Sequence, residues 1–389
     1  MELKKKKQKG FTLAEFIIVM ALIAVISSVA FLNLFNYRRL QNLKLGMEEL
    51  GTVLRNTKQR AITQEEGSAW GVAFINEGAA EHRYEVFRGD IYGQDVDKSY
   101  LLKRGVKFSE PATADEYYNA AFAAVNGKLP ENKIISLITG AKDNIVGDLI
   151  LNTLGLVITR IENGLLGYWH LDGFGKIPTA KDASPNSNSG ALYNGSTVCT
   201  EQNFYPFCPV WQEESLNCKS GYCLDFEKDN QNYITGNLTQ SAVLSAFTIE
   251  SWVKFESSQD KAAIWSGYSG SSMKISARFK NSAQNKPRIA FYTNPGASLD
   301  YESDLNFGDW YHIVSVVGDD SKKIYLNGTQ VQSGPLGSGS TFSIDNFDIG
   351  RSEKNNNFTL DGVLDEVRFY DRALSPQEIS AHYNDLKSF

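Results

Sequence analysis

Glu15 stands four residues into an apolar run that begins at Phe11, and 22 uncharged positions then separate it from Arg38. A carboxylate in apolar surroundings is costly unless a cation meets it, so this acid calls for a partner. The four histidines, His82, His170, His312 and His382, are scattered and form no HExxH pattern. Packed or paired core histidines are expected from them rather than a Ser/His/Asp arrangement. Cys199, Cys208, Cys218 and Cys223 form an even, clustered set. In an exported chain such a set reads as two disulfides, with three possible connectivities. Sequential pairing, Cys199–Cys208 with Cys218–Cys223, is favoured because it staples two short local loops. Zinc is the rival, but CxxC knuckles are missing and an exported location disfavours it.

The elements that must carry these groups follow from the pattern around them. Lys4, Lys5, Lys6, Lys7 and Lys9 precede the apolar run. As a helix the uncharged stretch reaches roughly 33 Å, enough to cross a bilayer with the lysines left on the cytoplasmic side. A secretory signal would need a small-residue cleavage site after its core, and this core is too long. A plain membrane anchor is the better alternative. Beyond it Leu40, Leu43, Met47, Leu50, Leu54, Thr57 and Ala61 step by three and four. That apolar stripe predicts a continuing helix, ending at Gly67 and lying on a sheet. Strand-like runs follow at Trp70–Ile75, Arg83–Phe87, Gly105–Phe108, Lys133–Ile138, Asp148–Leu151 and Gly155–Ile161, giving a small α+β unit. Glu162-Asn163-Gly164 is a polar break and marks a boundary. After it, short strands alternate with Gly-, Asn- and Ser-rich turns, the rhythm of an all-β sandwich. Asn327-Gly328 is a two-residue hairpin signal, and Ser375-Pro376-Gln377-Glu378 starts a helix with a capping box.

A chain of 389 residues with 42% hydrophobic and 22% charged positions fits soluble domains carried on one membrane helix. The formal charge is −6, and residues 1–10 hold five Lys and one Glu, so the chain without them is near −10. An acidic surface argues against nucleic acid as the default partner.

The basic leader ending in Gly10, then Phe11-Thr12-Leu13-Ala14-Glu15, then an apolar helix, resembles a type IV prepilin or pseudopilin. The resemblance implies cleavage after Gly10 by a prepilin peptidase and N-methylation of Phe11. It also implies that Glu15 pairs with the new terminal amine of a neighbouring subunit in a filament. Residues 1–10 are then the leader, and 11–163 a pilin-like helix plus small sheet, similar to a minor, H-like pseudopilin. Residues 164–389 carry five ordered marks. They are Gly167-Tyr168-Trp169-His170-Leu171-Asp172, Phe247–Val253, Trp310-Tyr311-His312, Ile324–Gly328, and Asp361–Tyr370 followed by Ala373-Leu374-Ser375. Together they resemble a concanavalin A-like lectin/glucanase domain of the laminin G-like type. This implies a two-sheet jelly roll whose first and last strands lie close together. Lectins, adhesins and glycosidases share that fold, so it does not settle function.

A glucan-cleaving enzyme of this fold would carry two carboxylates on one strand in a Glu-x-Asp-x-x-Glu pattern, ~5 Å apart for retaining chemistry. The sequence holds no such pattern. Glu250 stands alone, and Asp365 and Glu366, adjacent on a strand, should face opposite ways. The chain is therefore expected not to be an enzyme. The resemblance also implies a structural calcium at Asp172, Asp182 and Asp365, helped by Asn186 and Asn188, because Ca2+ takes six to eight oxygens. The alternative is that these Asp and Asn residues satisfy turn geometry. Trp265, Tyr268, Tyr292 and Tyr301 lie on or near loops from which they could stack on a sugar.

The sequence thus reads as an α+β pilin-like domain with a long N-terminal transmembrane helix, followed by an all-β jelly-roll sandwich. The expected role is a minor type IV pilin or pseudopilin that displays a lectin-like adhesive domain. It would sit in the cytoplasmic membrane as a precursor, then at the cell surface or pilus tip. Its expected partners are prepilin peptidase, other pilin subunits, the inner membrane, and a glycan or surface-protein ligand. The alternatives are a pseudopilin of a type II-like secretion system that recognises cargo, and an envelope-displayed glycoside-active enzyme.

Overall fold

The computed structural model describes residues 13–387 apart from 77–81, 94, 110–115, 131–132, 140–144, 152–153, 173–177, 204–206, 213–217, 259, 285, 338 and 353–357. The side chains of 13–19, 21–36, 116–117 and 240 are also outside it. Gly10, Phe11 and the carboxylate of Glu15 therefore lie beyond the described residues.

One helix runs from Leu13 to Ile62. Among the described residues no helix is long and apolar enough to cross a membrane, and the side chains of most of the apolar run are not among them. The apolar stripe is as the spacing predicts: Leu43, Met47, Leu50, Leu54, Thr57 and Ala61 are buried, while Lys44, Glu48 and Arg55 are exposed. The helix stops five residues before Gly67, because Gln64 and Glu66 adopt left-handed φ and Glu65–Gly67 forms a single 3-10 turn instead.

Two antiparallel four-stranded sheets cover the stripe. The first runs Val96–Leu101, His82–Arg88, Trp70–Asn76, Glu116–Phe122 in spatial order. The second runs Val106–Phe108, Lys133–Thr139, Ile145–Leu151, Val157–Asn163. Phe74 and Phe122 from one sheet and Leu137 and Leu149 from the other meet the stripe in a single core. A Cβ at Gly147 would stand 2.3 Å from Met47 Sδ, so the helix can approach this strand only over a glycine.

A single residue, Gly164 at φ +76, separates Val157–Asn163 from the next strand, Leu165–Trp169. From there the chain is a β-sandwich. Among the described residues nine strands form one sheet and eight the other. Their facing sides fill one core with Trp169, Phe247, Trp265, Phe291, Phe347 and Phe369. Leu165–Trp169 pairs with the last strand, Gly362–Tyr370, as a jelly roll requires. The disulfides are Cys199–Cys208 and Cys218–Cys223, the sequential pairs. Trp265 and Tyr268, read from sequence as loop aromatics, are instead fully buried within the strand Ala263–Ser269.

The outer face of the eight-stranded sheet is dry. Trp252, Val314, Val316 and Tyr370 on that face pack against Ile134, Val146 and Ile150 of the second small sheet, with Ile379 and Leu386 of the helix Pro376–Leu386. That helix starts with the expected capping box between Ser375 and Glu378.

Candidate functional site: an ionic junction between two sheets

The junction is assembled by a fault in strand alternation. Gly362–Tyr370 pairs with Phe247–Phe255, and the register shifts between Glu250 and Trp252. Glu366 sits in that irregularity at φ +53. Leu364, Val367 and Phe369 fill the sandwich core, while Asp365, Glu366 and Arg368 all leave on the other side. The expectation that Asp365 and Glu366 face opposite ways is therefore corrected. A bulge inserts one residue and breaks the two-residue period on which that expectation rests.

Two buried carboxylates organise the cluster. Glu250 accepts from His312 Nε2 at 2.9 Å, His382 Nδ1 at 2.8 Å and Arg368 at 3.3 Å. Burial alone would raise its pKa, but His382, His312 and Arg368 outweigh burial and hold it well below the usual range. Glu366 meets His170 Nδ1 at 2.8 Å and Arg368 at 2.7 Å, and accepts from the Tyr168 hydroxyl. Burial would lower His170, yet Glu366 outweighs it and the imidazole is pushed up to about 9. His312 goes the other way: burial lowers it, so a neutral ring donates Nε2–H to Glu250.

The second small sheet supplies the opposite wall. Ser136 Oγ lies 3.1 Å from His170 Nε2 and donates to Asp148 Oδ1 at 2.6 Å. Glu162 lies 3.1 Å from His382 Nε2, an ion pair rather than an aligned hydrogen bond, and its pKa falls to about 2 because His382 and Arg160 outweigh burial. Ser136, His170 and Glu366 share the connectivity of a hydrolase triad, which no sequence spacing announced. In this arrangement the histidine is protonated, the hydroxyl points its proton at Asp148, and all three side chains are buried. The cluster as it stands joins two sheets, with the Ser136 hydroxyl committed to Asp148 rather than to His170.

Among the described residues, Asp172, Asp182 and Asp365 do not form a group with metal-like spacing. Asp182 accepts from the backbone N–H groups of Tyr168, Ser184 and Asn188, which is turn chemistry. Asp172 and Asp365 share the Cys218–Cys223 loop: Tyr222 N–H donates to Asp172, and Lys219 and Ser220 N–H donate to Asp365. Asp365 Oδ1 is buried without a hydrogen-bond partner, the single feature there that would suit a cation. Among the described residues, the acids with metal-like spacing are Asp225, Glu227 and Glu256, whose oxygens lie within 4.8 Å of one another. Burial, with Asp225, Glu227 and Asp361 alongside, pushes Glu256 up to about 7. Sequence reading missed this group because Glu256, just past the strand Phe247–Phe255, joins Asp225 and Glu227, at the end of the strand Cys223–Phe226, only in the fold.

Residues 228–380 match the family model described as the concanavalin A-like lectin/glucanases superfamily, and residues 5–31 match the prokaryotic N-terminal methylation motif. No curated protein matches the chain. Among solved structures it is similar to domain 4 of AbnA, a GH43 extracellular arabinanase from Geobacillus stearothermophilus, in complex with arabinotriose. That likeness has 15% identity and a TM-score of 0.42, over 56% of this chain and 97% of that one. It is also similar to a heptameric SAP-like pentraxin from Limulus polyphemus, at 16% identity and a TM-score of 0.33, over 38% of this chain and 73% of that one. Trypanosoma rangeli sialidase is similar at 10% identity and a TM-score of 0.37, over 81% of this chain and 62% of that one. The superfamily matched by residues 228–380 is described by lectins and glucanases together. That overturns the expectation of a chain that is no enzyme, and its enzymatic status is open. The chain joins a prokaryotic N-terminal methylation motif to a domain of the concanavalin A-like lectin/glucanase superfamily.

Proposed function

We propose that this is a surface-displayed binding protein, a minor type IV pilin or pseudopilin whose sandwich is a lectin-like head. The observation that carries the reading is the presence, in one chain, of the methylation motif at 5–31 and the superfamily domain at 228–380. On this reading prepilin peptidase cleaves after Gly10 and Phe11 is N-methylated. The apolar run behind Glu15 crosses the inner membrane until the subunit enters a filament. There Glu15 meets the terminal amine of a neighbour, which removes an unpaired charge from apolar surroundings. A sandwich of this size would crowd a repeating shaft, so the subunit belongs at a tip or in low abundance. Its ligand is a glycan or a surface protein.

The test is an array of glycans and matrix proteins probed with the full chain in detergent. Saturable binding to a defined class is expected. A blank array, together with loss of protein secretion when the chain is deleted from its host, would overturn the reading in favour of cargo recognition.

A further inference from the structure

We propose that the helix Pro376–Leu386 is a clasp that locks the sandwich against the second small sheet, and that the proton on His382 keeps it shut. Only Gly164 separates the strands on either side. Its carbonyl accepts from Asp371 N–H and that of Asn163 from Arg372 Nε, so beyond this short link the two parts are held together by contacts across the seam. The helix touches both walls. Leu386 packs with Ile134 and Ile150 of the small sheet and with Trp252 of the sandwich. Asp385, also on this helix, pairs with Arg160 of the small sheet.

His382 is 2% exposed, with Nδ1 2.8 Å from Glu250 Oε2 in the sandwich and Nε2 3.1 Å from Glu162 Oε1 in the small sheet. A neutral imidazole can hydrogen-bond Glu250 through Nδ1–H but offers Glu162 no cation; the imidazolium hydrogen-bonds Glu250 and ion-pairs with Glu162 at once. The other charged or titratable groups facing this cluster are His312, Arg368, Tyr370 and Arg372 from the sandwich and Arg160 and Asp148 from the small sheet. None of them replaces the bridge. Glu250 keeps His312 and Arg368 when His382 is neutral, and Glu162 keeps Arg160 and the Tyr370 hydroxyl. The two acids are then each satisfied without a shared cation across the seam. Burial would lower the pKa of His382, but Glu250 and Glu162 outweigh it and raise it. Docking is therefore fully supported below the ordinary histidine pKa of about 6.5 and weakens as pH rises through the docked value.

Calorimetry and limited proteolysis of the full chain test this. At pH 6 the two parts should unfold in one transition, with the 163–165 connection protected. His382→Gln should split the transition in two and speed cleavage there by about tenfold or more, the scale of one hydrogen bond to a charged group. Glu162→Gln should do the same while leaving the Glu250–His382 contact inside the sandwich, and it decides the matter if His382→Gln fails to fold. Raising the pH should move the wild-type chain toward the variants. Two transitions in the wild-type chain at pH 6 would overturn the clasp. So would a single transition that survives in Glu162→Gln and is indifferent to pH.

Discussion

His170 Nδ1 lies 2.8 Å from Glu366 Oε1, a contact between residues 196 positions apart, and both side chains are buried. The bulge that turns Glu366 outward makes this contact possible, and Ser136 on the far side of the imidazole extends it into the small sheet. A buried pair of this kind is a weak source of net stability while intact, because both charges lose water. Its removal from one side is different, since the remaining charge has nowhere to go.

Glu366→Gln leaves His170 and Arg368 without their shared carboxylate. Unfolding free energy should fall by about 3–5 kcal/mol, the range for breaking one half of a buried pair. Urea titration at pH 7 measures it. Replacing an exposed acid such as Glu48, which has no such partners, should change stability by less than about 0.5 kcal/mol.

The pH dependence has a definite sign. His170 is pushed up to about 9, so the folded state holds a proton that the unfolded state releases near its ordinary value. The associated stability is present below about 6.5 and is lost as pH rises through 9. Urea midpoints should therefore fall between pH 6.5 and 9. On the acid side Glu162, held at about 2, contributes stability above its ordinary pKa of about 4.5 and loses it as pH falls toward 2.

The Cys218–Cys223 loop presents three backbone N–H groups to Asp365 and Asp172. A Cys218→Ser, Cys223→Ser chain should lose roughly 2–4 kcal/mol. Cys199–Cys208 serves as the comparison, because no such pair of buried carboxylates is held by its loop. Thermal melts of the two double variants separate the effects, and the first should also open the cleft lined by Asp172, Tyr222, Lys133 and Tyr118.

Leu50 and Leu54 are wholly buried between the long helix and its two sheets. Either one replaced by Ala should cost about 2–5 kcal/mol by leaving a cavity. Lys44→Ala, on the exposed side of the same helix, should be close to neutral.

The legible parts of the fold are those written in local period. Leu43 to Ala61 disclosed the helix face, and the alternation in Phe247–Phe255 disclosed a sandwich strand. The edge strand Val96–Leu101 escaped notice because Asp97, Lys98 and Ser99 are exposed and break any apolar alternation. Glu116–Phe122 escaped because Asn119, Ala120 and Ala121 interrupt the strand signal of Tyr117, Tyr118 and Phe122. The junction was illegible for a deeper reason. Glu250 read as a lone acid and Glu366 as the residue facing away from Asp365, and neither reading names the partners that the packing of Ile134, Val146 and Ile150 brings to that face. The four histidines were expected to be packed or paired, and all four are: His82 packs against Phe108 and accepts from its N–H, while His170, His312 and His382 meet carboxylates. Which acid each of these three would find depends on contacts across 62 to 196 positions.

The most direct measurement on the central claim is mass spectrometry of the mature chain recovered from membranes or filaments. The account predicts a first residue of Phe11, one methyl group heavier than the unmodified residue, with residues 1–10 gone. Any other first residue, or an intact leader on filament-associated material, would contradict it and leave only a sandwich clasped to a small helix-and-sheet unit.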